Sequence, residues 1–231
     1  MADIYSDGTY LTNNPGWGAA DAAWKACHAV DMLKRNSISP RSVCDVGCGS
    51  GETIAAMSRL MGPDVSFAGY EPSPQAFEIC AAKAGGPLSF FNAGLEAVPD
   101  GGFDVVMALD IVEHVEDCFG FLRELGKKGR HKILHIPLDM TALSAARPAA
   151  LVETRRTFGH IHFFCKDTAL AALERVGLRT VDWAYTGSST DFPAPGAKMK
   201  LLNAVRKAAF RVSPDAAVRL LGGWSLLVLA E

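Results

Sequence analysis

The sequence predicts an α/β fold, a doubly wound and mostly parallel sheet of seven strands with helices on both faces. Two observations carry that prediction. From Arg41 onward, short runs rich in β-branched and aromatic residues alternate with stretches of helical periodicity, the order that a parallel sheet with crossover helices produces. The first of those runs also leads directly into Gly47, Gly49 and Gly51 at alternate positions, just ahead of a helical pattern. A strand, a glycine turn and a helix in that order form a unit that binds ligands on exposed backbone N–H groups.

Taken in order, the strand candidates are 41–46, 65–70, 88–92, 103–109, 131–136, 178–185 and 224–230. Helices are expected near 52–61, 74–84, 117–126 and 167–176, the last opened by Asp167 as N-cap and closed before Gly177. Ahead of the first strand, Ala23, Ala26, Cys27, Val30 and Leu33 share one face of a helix over 19–35. A helical pair is expected over 197–221. Two long connections, 137–162 and 186–196, stand out; loops of that length in an α/β domain carry function more often than not, and the second could equally be a disordered tip. The chain therefore reads as a leader with its helix over 1–40 and one domain over 41–231.

Composition sets bounds on function. With 231 residues, 49% of them hydrophobic and 21% charged, the chain can bury a substantial core. A formal net charge of −2 supplies no general pull toward nucleic acid or acidic lipid, so no nucleic-acid partner is expected. No apolar run approaches the roughly 20 residues that span a bilayer, and the start lacks the pattern of a secretory signal. A cytoplasmic protein is the expectation. The bases of 197–221, Lys198, Lys200, Arg206, Lys207, Arg211 and Arg219, read as a solvated face, with weak contact to a membrane surface or a glycolipid as the alternative. Six cysteines are present without a C-x-x-C pair or a Cys/His cluster at zinc spacing, so neither a metal nor a disulfide framework is expected.

The glycine turn admits several ligands. A dinucleotide fingerprint would place its third glycine at position 52, which is Glu52, and a phosphate-binding loop would place a lysine after Gly51, where none stands. Asp45 and Glu52 flank the turn with carboxylates, which suits a ligand carrying positive charge.

On these residues the chain resembles the class I S-adenosylmethionine-dependent methyltransferases, in the small-molecule branch of bacterial polysaccharide and natural-product pathways. Asp45, Gly47, Gly49 and Gly51 match the first motif of that family, and Cys48, between two of the glycines, joins the cofactor-binding candidates. Glu71 in "VSFAGYEPS" stands where the family places the acid that takes both ribose hydroxyls, followed by Pro72. "FDVVMALDIVEHVED" resembles the fourth-strand motif with its "EHV" element, and "GHIHFFCKDTALAALERVGL" resembles the later stretch of the same branch. The matches run over about residues 41–185.

The resemblance implies a Rossmann-like fold and S-adenosyl-L-methionine as cofactor, leaving as S-adenosyl-L-homocysteine. It implies that the glycines approach the methionine part, that Asp45 organises the turn or reaches the ammonium through water, and that Asp110 and Ile111 flank the transferred methyl. One position departs from the pattern: Gly94 stands where the family carries an acid for the adenine amino group. Asn92, the backbone N–H of Leu95 and Glu96 are the candidates to replace it. The opening stretch resembles a leader of the same branch, with Gly18 where a histidine is usual; Tyr5, Tyr10 and Trp17 then belong either to a lid over the cofactor or to an arm packed on the domain.

Methyl transfer from a sulfonium is an in-line displacement that depends mainly on positioning, and a hydroxyl acceptor also gains from a base. His114, His160 and His162 are the catalytic candidates, weighed against roles in shaping the turn and anchoring the segment. If extended, 160–162 puts its two histidines on one side. His135, inside an apolar strand, reads as a satisfied core residue. The expected reaction is O-methylation of a small-molecule or sugar-type acceptor. N-methylation of an amino sugar or small amine and a non-catalytic cofactor-binding module are the alternatives, and Glu52 argues against a nicotinamide enzyme. Nothing in the sequence gives the oligomeric state.

Overall fold

A computed structural model describes residues 12, 16, 19–194 and 196–231; Tyr5, Tyr10, Trp17 and Gly18 lie outside the described residues. Seven strands form one sheet in the order β3-β2-β1-β4-β5-β7-β6. They are β1 (Ser42–Val46), β2 (Ser66–Tyr70), β3 (Leu88–Phe91), β4 (Phe103–Leu109), β5 (Gly129–Pro137), β6 (Thr180–Thr186) and β7 (Ser225–Ala230). The first five pair in parallel, and β7 runs antiparallel between β5 and β6. The mostly parallel, doubly wound architecture expected from the sequence is thus present.

The helices are α1 (Ala22–Arg35), α2 (Glu52–Met61), α3 (Pro74–Ala81), α4 (Cys118–Lys128), α5 (Ala142–Ala145), α6 (Pro148–Phe158), α7 (Lys166–Arg175), α8 (Gly196–Val212) and α9 (Pro214–Leu221). Alternation along the strands divides the core in two. Val43, Val105, Met107 and Ile133 pack against α1 and α2 through Val30, Leu33, Ile54 and Met57. Their neighbours Cys44, Val106, Ala108 and Leu134 pack on the opposite face against Leu122, Leu125 and Leu173 of α4 and α7. Burial on both faces is why these strands read as continuous apolar runs.

The connection after β5 differs from the expectation of a long loop, because it holds α5 and α6. Thr141 and Ser144 form a reciprocal cap, Pro148 opens α6, and Gly159 closes it at φ 85°. No residue of α6 is buried, so the helix has no apolar stripe and only its end signals were visible in the sequence. In α8, Arg206 turns inward and donates from Nη2 to the Leu221 carbonyl at 3.0 Å. Lys198, Lys200, Lys207 and Arg211 are exposed, beside exposed Leu201, Val205 and Val212. No helix among the described residues is long and apolar enough to cross a membrane.

Candidate active site

The sheet order reverses between β1 and β4, and an open α/β sheet binds its ligand in the crevice beyond the strand ends at that point. The glycine turn lies there. Gly47, Gly49 and Gly51 have φ of 68°, 55° and 72°, a region that costs other L residues roughly 1–2 kcal/mol each. At Gly47 a Cβ would also meet Ile111 Cδ1 at 2.5 Å, so Ile111 closes directly over the turn. The N–H groups of Gly47 and Cys48 donate to the Tyr70 carbonyl at 2.8 and 3.2 Å, tying the turn to the end of β2. The Cys48 thiol is buried and pairs with Cys80, which leaves backbone as the part of Cys48 that a ligand could meet.

Glu71, at the end of β2, is buried and uses both carboxylate oxygens to organise the crevice. Oε2 accepts the Gly49 N–H and Oε1 the Ser73 N–H, each at 2.8 Å. Each oxygen keeps a second lone-pair direction for a ligand hydroxyl. Burial raises the Glu71 pKa, and the two backbone bonds oppose that rise. Asn92 donates from Nδ2 to the Glu71 carbonyl at 2.8 Å and the Pro72 carbonyl at 3.3 Å, so it braces the loop. Leu95 opens a short 3-10 turn, 95–97. Beside it, Glu96 folds back so that Oε1 accepts the Gly94 N–H at 3.0 Å, and a Cβ on Gly94 would come within 2.5 Å of Glu96 Oε2. The carboxylate of Glu96 thus fills the space that a side chain at position 94 would take.

On the β4 side, Asp110 holds φ 56°, an uncommon conformation for a residue with a side chain. Its Oδ1 is 2.6 Å from His135 Nδ1 and its Oδ2 is 2.6 Å from Lys25 Nζ of α1. Burial alone would raise its pKa, yet His135 and Lys25 hold it far below the usual carboxylate range. Lys25 in turn bonds Asp21 at 3.1 Å, and its pKa is raised despite burial. His135 is satisfied on its other side by Thr186 Oγ1 at 2.8 Å, as expected for a core histidine. Asp45, 3% exposed, has its pKa pushed up to about 7 by burial, with Lys25 opposing and Glu71 adding to the rise.

The three candidate histidines do not act as one group. His160 Nδ1 is 2.6 Å from Asp139 Oδ2, and its ring meets His114 edge-on with 4.9 Å between centroids. His114 is bonded to the backbone of Gly159, and burial, with His160 adding, lowers its pKa to about 4. His162 instead donates from Nε2 to the Val115 carbonyl at 2.9 Å and approaches that of Glu116 at 3.3 Å. The N–H groups of Ile161 and His162 both reach the Glu113 carbonyl, at 2.9 and 3.1 Å. His162 therefore pins the segment after α6 to the turn after β4, while His160 faces Asp139. Asp139 also lines a cleft of about 300 Å³ shared with Thr141, Arg147, Leu151 and Trp224.

The family described as a methyltransferase domain matches this chain over residues 20–182. The chain belongs to that family. It is 37% identical to a ubiquinone biosynthesis O-methyltransferase of Methylobacterium nodulans over 36% of this chain and 34% of the relative. It is 30% identical to a tRNA U34 carboxymethyltransferase of Campylobacter jejuni over 69% of this chain and 57% of the relative. The chain thus spans between about a third and three-fifths of the length of these curated relatives. Among solved structures, a SAM-dependent methyltransferase from Thermotoga maritima, described as a possible histamine N-methyltransferase, superposes with a TM-score of 0.61 at 14% identity. That superposition covers 96% of this chain and 95% of the other, a likeness of fold.

In this methyltransferase domain, the glycine turn, Asp45, Glu71, Asp110 and Ile111 lie at three neighbouring parallel strand ends. Three residues that complete the arrangement were not singled out from sequence. Lys25 meets Asp110 from 85 residues away, and Asp139 sits in a stretch read as loop. Glu113 reads in sequence as a turn-shaping residue of "EHV", and nothing in that triplet shows that its side chain is buried.

Proposed function

We propose that the chain transfers a methyl group from S-adenosyl-L-methionine to a hydroxyl of a small, sugar-type acceptor. Asp45, Glu71 and Asp110 stand at the strand ends of the switch point, where Lys25 pairs with Asp110 and Lys83 with Glu52 and the Ser50 carbonyl, a balance of more acids than bases that suits a sulfonium and an ammonium. Gly47, Gly49 and Gly51 let backbone approach the methionine part, Glu71 takes the ribose, and Glu96 supplies the acid for the adenine amino group from two residues beyond Gly94. The cleft beside Asp139 is of a size for a small molecule. That size and the net charge of −2 favour a small acceptor over a nucleic acid.

The observation that carries the reaction class is the 2.6 Å bond that His160 makes to Asp139, a residue lining that cleft. A carboxylate on Nδ1 fixes the tautomer with its proton there and leaves Nε2 as the acceptor. His160 Nε2 would take the acceptor's O–H proton, and bound S-adenosyl-L-methionine would supply the methyl group to that oxygen, leaving a methyl ether and S-adenosyl-L-homocysteine. His114, with its pKa near 4, stays neutral beside it. His160→Asn and Asp139→Asn should lower kcat on a hydroxyl acceptor by about 10²–10⁴-fold while cofactor affinity holds. Turnover of an amine at the wild-type rate by both variants would instead assign N-methylation.

A further inference from the structure

The turn after β4 buries a carboxyl group beside two imidazoles. Glu113 is 1% exposed, and neither carboxylate oxygen has a hydrogen-bond partner among the described residues. An unpaired buried carboxylate is costly: without a cation it takes up a proton, and burial, with the Asp110 charge adding, pushes the Glu113 pKa well up; paired or bound to a metal, it keeps its charge. Two imidazoles stand against it. His114 Nε2 is 3.8 Å from Glu113 Oε1, and one ligand atom each from Glu113, His114 and His160 lie within 4.8 Å of one another.

Both imidazoles carry the outer partner that metal-bound histidines use: Asp139 at 2.6 Å for His160, and the backbone of Gly159 for His114. Metal–ligand bonds near 2.1 Å at tetrahedral to octahedral angles separate ligand atoms by about 3.0–3.4 Å. Side-chain shifts on the order of 1 Å therefore close the set. Two imidazoles and one carboxylate favour a borderline first-row cation over magnesium or calcium, and three ligands leave coordination positions open. Sequence spacing could not show this, since His160 lies 46 residues beyond His114.

We infer that Glu113, His114 and His160 bind one divalent transition-metal cation. Resting on the methyl-transfer reading, the inference places the acceptor's hydroxyl at an open position of that cation. The cation acidifies the O–H so that its proton leaves to solvent, and the oxygen then takes the methyl as the carbon–sulfur bond breaks. His160 Nε2 is a ligand in that state, so the cation replaces the imidazole as the means of deprotonation.

The test is titration of the chelator-treated full chain with Mn²⁺, read by loss of the free-ion electron paramagnetic resonance signal, and with Zn²⁺ by calorimetry. Wild type, Glu113→Gln and His160→Asn are compared, with S-adenosyl-L-homocysteine binding measured on each sample. The expected result is one ion per chain at micromolar concentration, at least tenfold weaker in both variants. Homocysteine-analogue binding that holds within about twofold shows each variant to be folded, and His160→Asn decides alone if Glu113→Gln fails that check. No uptake of either ion below millimolar by a wild type that binds the nucleoside overturns the inference, and so does undiminished uptake by a folded variant. Ion binding is read without any acceptor. A failure to find methyl transfer therefore leaves the cation site standing, whereas full hydroxyl methylation by the metal-free chain overturns the cation's part in deprotonation and returns the proton to His160.

Discussion

At the scale of single residues, the acid at the end of β1 sets function against stability. Asp45 has its pKa raised to about 7 by burial, against roughly 3.9 in an unfolded chain. The folded state therefore binds the proton more tightly than the unfolded one, and its contribution to stability is fully present below about pH 4. It declines as pH rises through about 7, because the folded chain must then hold a buried charge. Asp45→Asn should stabilise the ligand-free chain, with an advantage that is small at pH 4.5 and reaches a plateau above pH 7. An increase in Tm of about 3–8 °C at pH 8 is expected, together with weaker cofactor binding. Thermal melts at the two pH values check this, and an equal shift at both would mean that Asp45 is not the titrating group. The place of Asp45 and the glycines at a strand end was legible from the apolar run ahead of them, and that of Glu71 from its resemblance to a family motif. Glu113 was not, because a charge enclosed by the fold looks the same in sequence as a charge in water.

At the scale of elements, α1 does more than cover the sheet. It delivers Lys25 to Asp110 at 2.6 Å, and Trp24 packs edge-on against His135 at 5.9 Å. The helix itself was legible from its apolar spacing, but its polar contact was not, since no periodicity specifies which strand end a lysine will meet. α6 illustrates the opposite case, a helix with clear end signals and no buried face to announce it. Removing the lysine leaves Asp110 with one partner. Lys25→Met should therefore destabilise the chain by about 2–4 kcal/mol, near the range for breaking a buried pair. The sign with pH follows from the lowered pKa of Asp110. Its contribution is full above about pH 4 and is lost progressively as pH falls toward the folded value far below that, so the gap between wild type and Lys25→Met should narrow at pH 3 without closing. Denaturant unfolding at pH 7 and pH 3 measures the gap; one that stays constant would place the loss in packing.

Across the whole molecule, alternation of strands and helices was enough to read the parallel half of the sheet, whereas the insertion of β7 between β5 and β6 depends on long-range pairing that local pattern does not encode. The consequence of that sheet order is that Asp45, Glu71 and Asp110 stand at neighbouring strand ends, with Lys25 bonded to Asp110 and opposing the rise in the Asp45 pKa, and a field of that kind should distinguish a cationic sulfur from a neutral one. S-adenosyl-L-methionine and S-adenosyl-L-homocysteine carry the same ammonium and adenosine, so the ratio of their affinities isolates the response to the sulfonium. Asp45 gains its charge as pH rises through about 7, and the ratio should shift toward S-adenosyl-L-methionine by about 3–10-fold between pH 6 and pH 8, up to tenfold per pH unit being the limit for one coupled proton. Calorimetric titration of both ligands at the two pH values reads this directly. Asp45→Asn should flatten the ratio if the carboxylate at the end of β1 is the group that senses the sulfonium, and a ratio that still rises in that variant would shift the effect to Glu71, the other acid there whose pKa burial raises.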